Sequence, residues 1–311
     1  MVSTPAFALR PLGIGEIFDR AVTLYVRNFV TFTLMVLTLL APLAVVQYVL
    51  LPDRGESLAQ VIGQIEHPVK TPRAPVSNEE IVALMVIFAI AVVFAPFVNN
   101  AVAVGVAHVY NGGEPQYGAS FAAVFRRWLP LLGTAILNVS ILLGLYMLMV
   151  VGLILLLTVG ILLVRPALPL AVVVFAFAIV ALLAVLLLFL LLLIAYAFSM
   201  YSTSLEDASP VHAIGLAYRR IFNRVEFKKA LLMAVAYIGL QIGVFLLSTT
   251  VALLATFVVK NYAVELAVNT VVSAMMGAFL TILLAVYYYD VRTRIEGLDL
   301  ETDLQRLTAA S

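Results

Sequence analysis

The stretch that decides the fold is "VGILLVRPALPLAVV", residues 159–173, which interrupts an apolar block running over residues 129–201. Arg165 is the single charged residue of this block. A membrane-spanning helix needs ~20 residues, so the block is too long for one span. Two helices of ~35 residues would each be ~52 Å long at 1.5 Å per residue, well beyond a hydrocarbon core of ~30 Å. By length alone, three ordinary spans would fit as well as two long ones.

The charges on either side of the block decide between two and three crossings. The flanking segments 111–128 and 202–229 each contain an Arg-Arg pair. Cytoplasmic loops of membrane proteins carry an excess of Arg and Lys, so both segments are expected on the cytoplasmic side. An even number of crossings must join them. The sequence therefore predicts two long helices that turn near Arg165, with a re-entrant piece around 150–166 as a variant.

The composition supports a membrane protein. The chain has 64% hydrophobic and 11% charged residues, whereas a soluble domain carries ~25% charged residues. A net charge of +1 gives no indication of nucleic acid as a partner. The sequence contains no cysteine, which excludes disulfides and thiolate chemistry. No apolar stretch precedes the first charges at the N-terminus, so we expect no cleaved signal peptide.

Four further apolar runs bring the predicted number of spans to six. They cover about residues 29–51, 81–109, 230–257 and 264–289. Ser77 and Glu80 form a capping-box pattern before the second run. Six crossings place both termini on one side, and thirteen of the 18 Lys and Arg residues fall on that side. The positive-inside rule therefore predicts a multi-pass protein of the cytoplasmic (inner) membrane with both termini cytoplasmic.

A short segment with aromatic and charged residues precedes each pair of spans. In the first, "LGIGEIFDRAVTLYVRNF", the residues Ile14, Phe18, Ala21 and Tyr25 fall on one helical stripe. The segments "YGASFAAVFRRWLP" and "SPVHAIGLAYRRIFNRVEFKK" show a similar pattern before the second and third pairs. Such a pattern is typical of amphipathic helices that lie in the membrane interface.

The predicted fold class is therefore all-α: a polytopic membrane helix bundle with six transmembrane helices and three amphipathic interface helices. The order of segments predicts a threefold internal repeat of parallel orientation. The units cover about residues 10–112, 113–208 and 209–298, within a single integral membrane domain over 1–311. A cytosolic tail follows at 299–311. In the third unit "YYYDVRTR" predicts tyrosines at the headgroup level and arginines just inside the cytoplasm.

Two stretches carry a resemblance to a known family. "RPLGIGEIFDRAVTLYVRNF" and "YYYDVRTRIEGLDLE", which bracket residues 10–301, resemble the opening and closing signatures of the membrane domain of bacterial glycerophosphoryl diester phosphodiesterases. Many members of that family are stand-alone integral membrane proteins. In fused members a soluble phosphodiesterase domain follows "EGLDLE", and we expect no such domain in this protein. The resemblance implies a membrane location and a link to lipids, without an esterase activity for this chain.

Two sets of polar residues are candidates for function. Polar side chains within spans either bind a ligand or join helices by hydrogen bonds. Those singled out are Asn99, Asn100, Asn138, Gln241 and Asn269. Arginines of the interface helices either hold anionic lipid phosphates or simply anchor the topology. They are Arg20, Arg27, Arg126, Arg127, Arg219, Arg220 and Arg224.

No motif in the sequence indicates catalysis. The three histidines are far apart, and no metal-ligand spacing or phosphate-binding glycine loop is present. We therefore expect no cofactor, no metal and no enzyme activity. The leading hypothesis is a non-enzymatic membrane protein that handles lipids or organises the membrane, with membrane lipids as partners. The alternatives are a small-solute channel or transporter and a scaffold subunit of a membrane complex. A protein partner or homo-oligomer stays open.

Overall fold

A computed structural model describes residues 10–51, 77–164, 167–259 and 261–297. Over these ranges the chain forms nine helices and no strand. The helices are α1 (Ile14–Arg27), α2 (Phe29–Leu50), α3 (Asn78–Tyr110), α4 (Tyr117–Arg126), α5 (Trp128–Leu163), α6 (Leu168–Leu205), α7 (Pro210–Ile221), α8 (Phe227–Val259) and α9 (Tyr262–Glu296). Residues 52–76, the turn residues 165–166, Lys260 and the predicted tail 299–311 lie outside the described residues.

Six of these helices are long and apolar enough to span a membrane, namely α2, α3, α5, α6, α8 and α9. This confirms the all-α polytopic bundle. Helix α5 runs without a break from Trp128 to Leu163, and α6 follows from Leu168. Two long helices therefore fill the apolar block, as the charges on its flanks predict, and the re-entrant variant at 150–166 is wrong. The predicted capping box also forms, because Ser77 Oγ accepts from the Glu80 amide and Glu80 accepts from the Ser77 amide.

Each short helix is followed closely by a long one. A single residue separates α1 from α2 and α4 from α5, and the two residues have similar backbone angles. Asn28 has φ −125° and ψ 30°, and Arg127 has φ −114° and ψ 27°. Both amides still donate to carbonyls of the preceding helical turn. The chain therefore changes direction at these junctions with almost no loop. Along the described chain the order of short, long and long helix occurs three times.

The helices fall into two compact units. The first comprises the chain up to Trp128 and from Gly239 onward. In it α9 is the central helix, since α1, α2 and α3 all pack against it and residues 281–288 are buried. Helix α2 lies close to α3, where a Cβ on Gly105 would come within 2.9 Å of the Phe32 ring. Helix α4 packs on α3.

The second unit, Leu129–Ile238, contains α5, α6, α7 and the start of α8. Helix α7 packs on the C-terminal end of α6, where residues 198–203 are buried. Helices α5 and α6 run antiparallel, and their apolar side chains are largely exposed. Only 6% of the most apolar window of α5 is buried within the protein, so its surface suits a lipid environment.

The short helices are amphipathic, as the sequence predicts, with a small shift of the buried face. On α1 the buried residues are Ile17, Ala21, Leu24 and Tyr25. The predicted stripe includes Ala21 and Tyr25 but omits Ile17 and Leu24, because the face toward α9 is wider than a single stripe. On α7 the buried residues are Ala213, Ala217, Arg220 and Ile221. Arg220 is the exception to the apolar pattern.

Candidate functional site

The beginning of α1 is tied to the end of α9 by a buried carboxylate. Asp290, which is 2% exposed, accepts a 2.6 Å hydrogen bond from the Leu12 amide. Arg294 donates from Nε to both Asp290 oxygens at 3.3 Å and from Nη2 to the Leu12 carbonyl. Both backbone polar groups of Leu12 are thereby satisfied by side chains 278 and 282 positions away. We call Leu12, Asp290 and Arg294 the α1–α9 clamp.

The tyrosines beside this clamp are inside the protein. Tyr287 and Tyr288 are fully buried, and Tyr289 stacks on Tyr110 with ring centroids 4.7 Å apart. Arg20 of α1 lies over the Tyr110 ring at 5.8 Å. The sequence predicts these tyrosines at the headgroup level. The rings of Tyr287 and Tyr288 are covered by the protein itself rather than by lipid headgroups, while the depth of these tyrosines in a membrane stays a prediction.

The beginning of α1 also carries a local charge pair. Glu16 accepts from the Gly13 amide at 2.7 Å and from Arg10 at 2.6 Å. The backbone hydrogen bond from Gly13, followed by the hydrogen bond from Arg10, lowers the pKa of Glu16. A negative charge at this position also suits the N-terminal end of the helix dipole. Desolvation acts further along the short helices, where it raises the pKa of Tyr25 in α1 and of Tyr218 in α7.

A second buried ion pair ties α7 to α6 in the second unit. The Arg220 guanidinium donates to both oxygens of Glu206 at 2.7 Å and to Ser202 Oγ at 2.8 Å. Arg220 is 2% exposed. Such a bidentate arrangement fixes both distance and orientation. The sequence groups Arg220 with the lipid-phosphate candidates. In the structure the Arg220 side chain is enclosed and binds Glu206 and Ser202, so it is not exposed to a lipid phosphate.

The same kind of helix contact therefore occurs three times. Each short helix packs on the C-terminal end of a long one: α1 on α9 and α4 on α3 in the first unit, and α7 on α6 in the second. Two of the three contacts include a carboxylate from the end of the long helix, either the buried Asp290 or the half-buried Glu206. The sequence analysis did not single out these carboxylates. Their place just after tyrosines near the ends of spans could have drawn attention to them.

Several exposed cations lie where the short helices end. Arg27, Arg126 and Arg219 are in the last turns of α1, α4 and α7, and all three side chains are exposed. Arg224 and Lys228, near the start of α8, are exposed as well. Arg126, Arg219 and Arg224 form no ion pair with any residue of the described ranges. We call Arg126, Arg219 and Arg224 the junction cations. Arg20 and Arg127 are half-buried.

The polar candidates of the first unit do not share one place. Asn99 is exposed and its Oδ1 accepts from Thr281 of α9 at 3.3 Å, while Asn100 is buried and donates to the Pro96 carbonyl at 2.7 Å. Asn269 is half-buried, and its Oδ1 has no hydrogen-bond partner among the described residues. Gln241 on α8 is exposed.

The candidate of the second unit, Asn138, belongs to a ladder between α5 and α6. Its Nδ2 donates to Ser199 Oγ at 2.9 Å and to the Thr134 carbonyl at 2.8 Å. One turn away, the hydroxyls of Thr134 and Thr203 are 2.9 Å apart. Sequence reasoning missed the partners Thr134, Ser199 and Thr203. The signal was present, because each helix carries two small polar residues four positions apart.

These features define the class of protein: a multi-pass helical membrane protein whose short amphipathic helices dock on the ends of its spans. Within the part of the chain that the structure describes, no three His, Asp or Glu side chains are grouped as a metal site would need. Comparisons of the chain with models of protein families, with curated proteins and with solved structures give no match.

Proposed function

We propose that the protein is a non-enzymatic membrane protein that binds and organises anionic lipids at one face of the cytoplasmic membrane. The observation that carries the proposal is the set of junction cations, Arg126, Arg219 and Arg224. They are exposed and form no ion pair with the described residues, at the junctions where amphipathic helices meet spans. Anionic lipid phosphates are the natural counter-charges at such positions, and each Arg near a charged surface contributes ~1 kcal/mol.

The orientation is part of the proposal. We place both termini and all three short helices in the cytoplasm, because most Lys and Arg residues fall on that side. We also propose that the three sets of short, long and long helices are a parallel internal repeat. The similar junctions at Asn28 and Arg127 and the recurring contact of a short helix with a span end support it.

The resemblance of residues 10–301 to the membrane domain of glycerophosphoryl diester phosphodiesterases supports the link to lipids. We propose that the chain is a relative of that domain. Its part in lipid metabolism or transport would then be binding and placement of lipids, without hydrolysis.

The test is lipid selection by charge variants. The protein is purified from a mixture of phosphatidylglycerol and phosphatidylcholine, and the retained lipids are measured by mass spectrometry. We expect enrichment of phosphatidylglycerol for the natural protein and for the triple variant Arg126→Lys, Arg219→Lys, Arg224→Lys. The triple Gln variant removes the charges and should lose the enrichment, by ~1 kcal/mol for each Arg. Equal lipid retention by the Lys and Gln variants would refute the proposal.

A further inference from the structure

We infer that the cleft between α5 and α6, inside the second unit, is a binding site for one hydrocarbon chain of a membrane lipid. The inference rests on the proposed lipid function and deepens it, because it names where the apolar part of a lipid would be held. It concerns different residues from the junction cations. The hydrocarbon-chain site and the headgroup selection by the junction cations can therefore be tested independently.

Hydrogen bonds hold the two helices together at one end of the cleft. Thr134 on α5 and Thr203 on α6 have their hydroxyl oxygens 2.9 Å apart, and Asn138 donates to Ser199 at 2.9 Å. All four side chains are buried, and each also bonds to a carbonyl of its own helix, so the bonds between the helices mainly fix their register. This end of the helix pair is therefore closed.

A contact between a glycine and an aromatic ring joins the helices at the other end. Gly160 on α5 faces the Phe175 ring on α6, and a Cβ built on Gly160 would come within 2.8 Å of that ring. A real Cβ does not approach so closely, so only glycine allows this contact with the ring in its present position. Small residues are used in this way where membrane helices approach each other.

Between these two contacts lies a cleft of about 640 Å³, which is lined by both helices. The cleft extends over residues 145–156 of α5 and 178–192 of α6. At 1.5 Å per residue, these stretches are about 17 and 21 Å long. One leaflet is about half of the ~30 Å hydrocarbon core. The length of the cleft therefore matches one chain that crosses one leaflet.

The lining of the cleft is complementary to an uncharged chain. It consists of Leu, Ala, Val, Met, Gly and Phe side chains, with Tyr146 as its one residue with a polar side-chain group. Neither Trp128–Leu163 nor Leu168–Leu205 contains a charged residue. An ion or a headgroup would lose its hydration here without compensation, whereas a hydrocarbon chain loses nothing.

A transmembrane helix from another protein does not fit the same opening. A helix packs at ~8–10 Å from each neighbour, so a helix between α5 and α6 would need them ~16–20 Å apart. The contacts at Thr134–Thr203 and Gly160–Phe175 hold both ends of the pair much closer. A thinner occupant is required, and a lipid chain is the one that the surroundings of a membrane span supply.

Two glycines of α5 give a matched test. A Cβ on Gly152 or on Gly144 meets no atom within 4 Å, but only Gly152 lines the cleft. The probe is a phospholipid with a diazirine in the middle of one chain, in vesicles of phosphatidylethanolamine and phosphatidylglycerol. After illumination, labelled peptides are mapped by mass spectrometry, with the lipid-exposed residues 81–94 of α3 as internal reference.

We expect label on residues 178–192 of the natural protein well above the reference. Gly152→Phe should reduce that excess about tenfold, a change of ~1.4 kcal/mol in chain affinity, while Gly144→Phe leaves it unchanged. Ala181→Phe fills the cleft from α6 and should cause the same loss of label, so it provides the test if Gly152→Phe does not fold. Label no higher than the reference, or the same in the filled variants, overturns the inference.

Other outcomes are equally clear. Loss of a co-purifying second copy in the Gly152→Phe variant, seen by native mass spectrometry, would assign the cleft to a dimer contact and overturn the inference. Because the junction cations are intact in both glycine variants, phosphatidylglycerol enrichment should persist in them. If the cleft is not labelled but phosphatidylglycerol is still enriched, the inference about the cleft is wrong and the proposed function is retained. If the cleft is labelled but phosphatidylglycerol is not enriched, the proposed function is wrong and the hydrocarbon-chain site is retained.

Discussion

Two neighbouring arginines show how far surroundings decide the role of a residue. Arg219 is exposed in the last turn of α7, while Arg220 is enclosed and bound by Glu206 and Ser202. A helix turns by about 100° per residue, so adjacent side chains meet different environments. Taking one partner from a buried ion pair leaves the other charge uncompensated, which costs far more than losing an exposed charge.

The first prediction concerns this pair. Arg220→Met should lower the free energy of unfolding by ~3–5 kcal/mol, because Glu206 is left without its partner. Combining Arg220→Met with Glu206→Leu should restore most of the loss, since no unpaired charge then remains. The matched control Arg219→Met should stay within about 0.5 kcal/mol of the natural protein. Unfolding in mixed detergent micelles measures all four proteins. Equal stability of the two single variants would contradict the assignment.

At the scale of elements, α5 and α6 are joined by few polar contacts and are otherwise largely exposed. Interhelical hydrogen bonds within membranes contribute modestly, on average ~0.6 kcal/mol and up to ~1.7 kcal/mol. The ladder is therefore better understood as fixing the register of the two helices than as the main source of their stability. Asn138 belongs to this contact between helices. A channel for solutes would instead require its side chain to face an open path.

The second prediction tests that role. Asn138→Leu should reduce the free energy of unfolding by ~0.6–1.7 kcal/mol. The cost stays small because Ser199 keeps its own bond to the Tyr196 carbonyl at 2.7 Å. The control is Ser140→Leu, since Ser140 is exposed on the same helix and bonds only to the Ile136 carbonyl. If Asn138→Leu is as stable as the control and alters solute flux through vesicles, the channel alternative gains and our interpretation fails.

The sequence predicts the membrane-spanning helices well, but it does not predict the contacts by which the short helices dock on them. Hydropathy and charge predict six spans and the two long helices, because burial in lipid requires long apolar runs. The docking contacts are different, because they join distant residues such as Leu12 and Asp290. Nothing in the local pattern of Tyr287 and Tyr288 distinguishes rings at a lipid interface from rings covered by α1. Only the tertiary packing decides between them.

At the scale of the whole molecule, the described helices follow one scheme three times, with the first short helix docked on the last long one. In the proposed repeat, α1 takes the same place on α9 that α4 takes on α3 and α7 on α6. Parallel repeats of this kind put all their equivalent ends on one side of the membrane. The proposed repeat therefore requires the segments between the units to lie on the same side of the membrane.

The third prediction follows from that requirement. The chain has no cysteine, so single cysteines can be labelled without background. Gly113→Cys and Asp207→Cys, both at exposed positions, should react with a membrane-impermeant maleimide only after the cells are permeabilised. Asn78→Cys, exposed at the start of α3, is the control and should react in intact cells. Labelling of position 113 or 207 from outside would exclude the parallel repeat.

The α1–α9 clamp has a consequence for the synthesis of the protein. Helix α1 leaves the ribosome early, but Asp290 and Arg294, which hold Leu12, are made almost 280 positions later. Until those residues are made, α1 lacks the side chains that bind Leu12 in the finished protein. A truncated product that ends before residue 290 keeps its N-terminal segment undocked.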